Sequence, residues 1–240
     1  MPDLQPGLPG MWKRTLDMQV APATAMAVLC VSGTALGELD LAWDGMTSFE
    51  TVDYTYNDTF AWDSAARERN KFAFAGTLGF ADSPLELLCI ELQQDVTRDS
   101  VAYTTSPFDP SGPDYGRSRV LSSLFAQYYD PMVTSDDRAW AAAFAMMTWE
   151  IMSENFDSTP EEMIDRIDLD RGAVQFESYS SEALDYFDQM LSTLGVANDS
   201  SNLITYRNDD YQDFVGQVPA PGALALLAVS GLAVPRRRRS

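Results

Sequence analysis

Two cysteines occur in this 240-residue sequence, Cys30 and Cys89, and only the second stands among groups with which a thiol can do chemistry. It lies in Leu87-Leu88-Cys89-Ile90-Glu91-Leu92-Gln93-Gln94, two residues ahead of a carboxylate and four and five ahead of two carboxamides. A thiolate attacking an acyl carbon gives a thioester; a buried thiol left alone behaves as a small hydrophobe. Glu91 and Glu150 are acids set inside otherwise apolar runs. As a pair about 5 to 9 Å apart they have the residue types for glycoside hydrolysis, and taken singly they are acceptors for backbone N–H groups. Asp168 with Asp170, and Asp209 with Asp210, offer oxygen ligands for Ca²⁺ but lack EF-hand spacing. They read as solvated acidic loops, so neither a metal nor a cofactor is expected. The absence of histidine excludes a Ser-His or Cys-His nucleophile pair and the commonest general base.

The stretches 87–94 and 142–151, LLCIELQQ and AAFAMMTWEI, together resemble the thioester-like domain of cell-surface proteins. That family carries a Cys-Ile/Val-Asp/Glu strand and a Phe-Gln-x-x-x-Trp-Glu-Ile helix, and joins its cysteine and glutamine in an internal thioester that traps amines. Cys89 and Glu91 match the strand motif; Phe144, Trp149, Glu150 and Ile151 match the helix motif. The glutamine position is Ala145, which supplies no acyl group. On a continuous strand Gln93 lies about 13 Å from Cys89 at ~3.3 Å per residue. The resemblance, over about residues 52–215, therefore implies the fold and argues against the covalent activity.

These residues need a strand and a helix to hold them. Val52, Tyr54 and Tyr56 alternate with polar residues as in a half-buried strand, and a shorter strand is expected around Leu39, Leu41 and Trp43. Residues 57–63 read as a turn and 67–71 as a charged loop. Phe72 and Phe74 open a strand that breaks at Gly76 and Gly79, where a bulge or bend is expected. Residues 82–84 turn the chain into one long strand over 85–96. Ser, Asp, Pro and Gly mark 100–116 as a surface loop. Val120, Leu121, Leu124, Phe125 and Tyr128 have helical spacing, closed by Pro131. A second helix over 136–155 is apolar nearly all round and is expected to be the most buried element. Thr159, Pro160 and Glu162 form a helix entry, Ser181 caps a helix carrying Leu184, Phe187, Leu191 and Leu194, and 203–206 with 211–215 form a closing hairpin. Strands, then helices, then strands predict an α+β domain: an antiparallel β-sheet or barrel with an inserted helical group.

Both ends carry addresses. Residues 218–240, VPAPGALALLAVSGLAVPRRRRS, give a proline breaker, a 13-residue uncharged run over 222–234 and four arginines. A bilayer-spanning helix wants roughly 20 apolar residues, so the run is short for a permanent anchor. The tail resembles a PEP-CTERM sorting signal in its VPAPGA variant, Pro219-Ala220-Pro221-Gly222 being the motif and Arg236, Arg237, Arg238 and Arg239 the cytoplasmic block. The resemblance implies recognition by an exosortase in the inner membrane, cleavage near Pro219 to Pro221, and delivery to the cell surface or exopolysaccharide matrix. The alternative is a residual membrane anchor that is never cleaved. At the other end Lys13 and Arg14 precede the uncharged stretch 18–37, the order of a signal peptide. Ala35 and Gly37 stand at the cleavage positions, and Met11 is an alternative start.

The expected organisation is thus a signal helix over 1–37, an α+β domain over 38–218, and a sorting signal with a short apolar helix over 219–240. Of 36 acidic and 16 basic residues, the flanking segments hold Asp3, Asp17, Lys13, Arg14 and four arginines. The middle keeps 34 acids and 10 bases, a net charge of −24. That charge excludes nucleic acid as a partner. One cysteine in the middle excludes an intramolecular disulfide there. The reading is an exported, non-enzymatic structural or interaction protein with exopolysaccharide as the candidate partner. The alternatives are a covalent adhesin through Cys89 and a polysaccharide-acting enzyme using Glu91 and Glu150.

Overall fold

The computed structural model describes residues 37–56, 68–81, 83–108, 115–153, 159–196 and 203–217. Its strands are β1 (Gly37–Leu41), β2 (Trp43–Tyr56), β3 (Glu68–Phe80), β4 (Ser83–Cys89), β5 (Val101–Pro107), β6 (Val174–Ser178), β7 (Leu203–Arg207) and β8 (Phe214–Gln217). Its helices are α1 (Tyr115–Ser135), α2 (Arg138–Ser153), α3 (Pro160–Ile164) and α4 (Ser181–Thr193). The strands form one eight-stranded sheet in the order β1-β5-β7-β8-β4-β3-β2-β6, with antiparallel neighbours throughout. The class is α+β, as the sequence predicts. Of the two forms expected, the described strands make an open sheet with β1 and β6 at its edges, not a barrel.

Helix α2 organises the rest, because alanine side chains let it approach its neighbours on every side. Ala139, every residue from Ala141 to Ile151, and Ser153 are buried. It packs on β2, β3, β4 and β6 and also contacts α1 and α4. Aromatic pairs mark those contacts: Phe144 meets Phe125 of α1 edge-on at 5.0 Å, Trp140 meets Tyr186 of α4 at 4.7 Å, and Trp149 stacks on Phe176 of β6 at 6.1 Å. Asp137 starts the helix by accepting from the backbone N–H groups of Ala139 and Trp140 at 3.0 and 3.2 Å. The same carboxylate accepts from the Tyr186 hydroxyl at 2.9 Å, tying the cap to α4. The expected capping box on α3 forms, Thr159 Oγ1 accepting from Glu162 N and Glu162 Oε2 from Thr159 N.

Several expectations are corrected. The charged stretch 68–71 is the start of β3, not a loop; β4 pairs only with Leu78 to Phe80, so the first half of β3 is bonded on one side, to β2. Gly76 and Gly79 do not end that strand, but the irregularity expected at Gly79 is present: the pairing with β4 shifts register between Gly79 and Phe80, and the pairing with β2 shifts opposite it, between Trp43 and Gly45, as well as between Met46 and Ser48 and between Tyr54 and Tyr56. Within 100–116, Val101–Pro107 is strand β5, with Tyr103 and Thr105 turned into the core; alternation prevails over Ser and Pro content. Helix α1 runs through Pro131 to Ser135. Met132, 1 % exposed, anchors that last turn, and Thr134 Oγ1 donates to the Asp130 carbonyl at 2.7 Å. Helix α4 is capped by Ser180, not Ser181, and buries Ala183, Phe187 and Met190 while Leu184 and Leu191 stay half-buried. The turn expected over 57–63 lies outside the described residues. No helix among the described residues is long and apolar enough to cross a membrane.

Candidate functional site

Strand β4 is central, paired with β3 through Leu78 and Leu87 and with β8 through Leu88 with Val215 and Cys89 with Phe214. Its consecutive residues Leu87, Leu88, Cys89 and Ile90 are all buried, so both of its faces are covered. The long strand expected over 85–96 ends at Cys89. Strand β8 begins at Phe214, and beyond the bond from Ile90 N to the Asp213 carbonyl at 3.1 Å no pairing continues.

The chain then folds over as a wall, held at successive points. Tyr54 Oη donates to the Leu92 carbonyl at 2.9 Å, Gln212 N to the Asp95 carbonyl at 3.3 Å, and Trp43 N to the Thr97 carbonyl at 3.2 Å. Gln212 Nε2 also donates to the Glu91 carbonyl. Between this wall and the β2–β3 hairpin lies a cleft of about 750 Å³. Cys89 and Trp149 line it, so the structure brings together two of the motif residues singled out in the sequence. Gln93 and Gln94 line it as well; the extended-strand separation from Cys89 does not apply, because the chain leaves the strand between them.

Cys89 is 7 % exposed, and burial, with Glu91 adding to it, raises its thiol far above the ordinary value despite a backbone hydrogen bond that works the other way. A thiol so placed is neutral and a poor nucleophile. Ala145, on α2, is 2 % exposed and carries no group to react. The two glutamates serve different loops. Glu91 Oε2 accepts from Asp213 N, and Glu150, wholly buried on α2, accepts from Asp168 N, both at 3.5 Å. Asp170 N bonds Asp168 Oδ1 at 3.0 Å, and Asn208 Oδ1 organises the turn at Asp209 and Asp210 by accepting from Asp210 N at 2.9 Å. No group of three or more acid or cysteine side chains placed to hold a metal occurs among the described residues.

A second hollow of about 250 Å³ is lined by Glu91, Arg207 and Asp213. Asp213 is pushed up to about 6, chiefly by burial; the bond from Asn208 N opposes this, Glu91 and Asp209 reinforce it, and Arg207 opposes it. Arg207 stands 3.9 Å from Asp213 with its side chain 60 % exposed, so solvent screens that pair.

Sequence reasoning missed the aromatic part of the cleft. Trp43 and Tyr54 line it; Phe72 and Phe74, on the adjoining part of β3, lie opposite the exposed Asp53 and Thr51 of β2, on the sheet face away from Tyr54, and are 64 % and 45 % exposed, the large hydrophobic side chains left in solvent among the described residues. The available signal for the exposed pair was two phenylalanines directly after a charged stretch, at a spacing that puts both on one face of a strand. Of the processing residues, Gly37 opens β1 opposite Thr105, whose Oγ1 donates to its carbonyl at 2.9 Å. Ala35, Pro219, Ala220, Pro221, Gly222 and Arg236 to Arg239 lie outside the described residues. No family model, no curated protein and no solved structure matches this chain.

Proposed function

We propose that this is an exported structural or interaction protein of the cell surface or extracellular matrix, released through its C-terminal segment by an exosortase and acting without catalysis. The observation that carries the reading is the sequence of both ends: a basic residue pair and uncharged stretch over 13–37, and VPAPGA, an apolar run and four arginines over 218–240. Gly37, the expected cleavage position, is also the first residue of β1, so processing there leaves Glu38 to begin the sheet. A neutral, buried Cys89 and an alanine at 145 favour non-covalent interaction over amine trapping. Glu91 and Glu150, each bonded to a different backbone loop, fit structural roles.

The test is expression in hosts with and without an exosortase, followed by fractionation and intact mass. Envelope or medium localisation, with loss of the arginine block only in the exosortase-positive host, is the expected result. A full-length chain kept in the cytoplasm of that host overturns the proposal.

A further inference from the structure

We propose that residues 90–97, the wall that follows β4, are a pH-operated strap: it is held against the fold while Asp213 carries a proton and released when that proton leaves. The strap is a partition with space on either side. Leu92, Gln93 and Gln94 line both the cleft of about 750 Å³ and the hollow of about 250 Å³, so these three residues separate the two. The segment belongs to no helix or strand. Among the described residues, four of the hydrogen bonds that tie it to the fold end on Gln212 or Asp213. Ile90 N donates to the Asp213 carbonyl at 3.1 Å, Asp213 N to Glu91 Oε2 at 3.5 Å, Gln212 N to the Asp95 carbonyl at 3.3 Å, and Gln212 Nε2 to the Glu91 carbonyl. Tyr54 and Trp43 supply two more, at Leu92 and Thr97. A segment fastened at so few points opens locally, without unfolding of the core.

The residue that fastens the strap is also the one whose charge the strap shields. The Asp213 side chain is 13 % exposed, and Ile90 to Gln94 form one side of the hollow it lines. Lifting the strap rehydrates the carboxylate and favours its ionised form, so ionisation in turn favours lifting. The groups around Asp213 set the balance. Glu91 on the strap and Asp209 in the turn repel its charge, while Asn208 N donates to it at 2.9 Å and stabilises it. Arg207 at the end of β7 attracts it from 3.9 Å, screened by solvent. From β5 comes Tyr103, neutral and pushed up to about 12, chiefly by burial; β2 contributes Tyr56, and α2 contributes Met152 and Ser153. Asp213 itself is pushed up to about 6, chiefly by burial, from an ordinary 3.8. The proton therefore holds the strap most firmly below 3.8; that hold weakens as pH rises through the interval and is gone above about 6.

The experiment is hydrogen exchange by mass spectrometry on the purified full chain at pH 5 and pH 8, each amide referred to its intrinsic rate at that pH. If opening returns Asp213 to its ordinary value, protection over 92–97 should be about tenfold lower at pH 8 than at pH 5. Low urea should leave that protection unchanged while lowering that of α2, which marks the opening as local. Asp213→Asn should give equal protection at the two pH values. Glu91→Gln, which keeps an acceptor for Asp213 N and removes the repelling charge, should shrink the ratio. Three outcomes overturn the proposal: equal protection over 92–97 in the parent at both pH values, a urea response there matching that of α2, or the parent's pH ratio retained in Asp213→Asn.

Discussion

Tyr54 on β2 donates its hydroxyl to the carbonyl of Leu92 at 2.9 Å, joining the sheet to the irregular chain that follows β4. It is one of the bonds, with those from Gln212 and Trp43, that hold the wall beside the sheet. Tyr54→Phe keeps the ring, 5 % exposed in the parent, and removes that bond. The expected cost is about 1 kcal/mol in denaturant unfolding, with faster hydrogen exchange confined to amides of residues 92–97. Unchanged exchange there would show that the wall stands without it.

Gly76 and Gly79 make a contrasting pair on β3. A Cβ at Gly76 meets Phe49 Cα at 2.7 Å and the Ser48 carbonyl oxygen more closely still, and neither backbone atom can yield without shifting β2. At Gly79 the nearest atom is Cγ2 of Thr47 at 3.1 Å, a side chain that can move. Gly76→Ala should therefore cost about 3 kcal/mol or more, and Gly79→Ala about 1 kcal/mol or less, by chemical denaturation. Equal effects would remove the close approach as the reason for glycine at 76.

Burial governs Cys89. Iodoacetamide at neutral pH should label it slowly in the folded protein and promptly in denaturant, and the intact mass should show no loss of ammonia. Delayed labelling in denaturant, reversed by methylamine, would instead reveal an acyl-blocked thiol.

Asp213 links stability to pH. Its folded value, about 6, lies above the ordinary 3.8, so between those values the folded state binds the proton more tightly than the unfolded chain. Unfolding releases that proton, and this group's contribution to stability is greatest below 3.8, falls as pH rises through the window, and is lost above about 6. Asp213→Asn keeps an acceptor for Asn208 N and removes the ionisation. Its melting temperature should depend less on pH across the window and should exceed that of the parent at pH above 6. A parallel shift at every pH would contradict the assignment.

What the sequence determined by itself is whatever local chemistry dictates. Thr159-Ser/Thr-type capping with Pro160 and Glu162 needs only neighbours within one turn, and it forms. The apolar run at 141–145, four alanines and Phe144, leaves a helix no polar face, so its burial was legible without knowing its partners. Alternation over 52–56 gave a strand, and the ordering of elements gave an α+β sheet with a helical group inserted. The tertiary structure decided where elements stop and which residues meet. Periodicity continues through LLCIELQQ, yet β4 ends at Cys89 because its partner strand starts at Phe214, a fact set 125 residues away in the chain. Pro131 stays helical because Met132 is buried, and 68–71 is strand because β2 lies alongside. The cleft belongs to the same class: Trp43, Tyr54, Cys89, Gln94 and Trp149 come from three separate stretches of sequence. No single stretch carries the pattern, because the lining exists only once the hairpin, the end of β4 and α2 pack together.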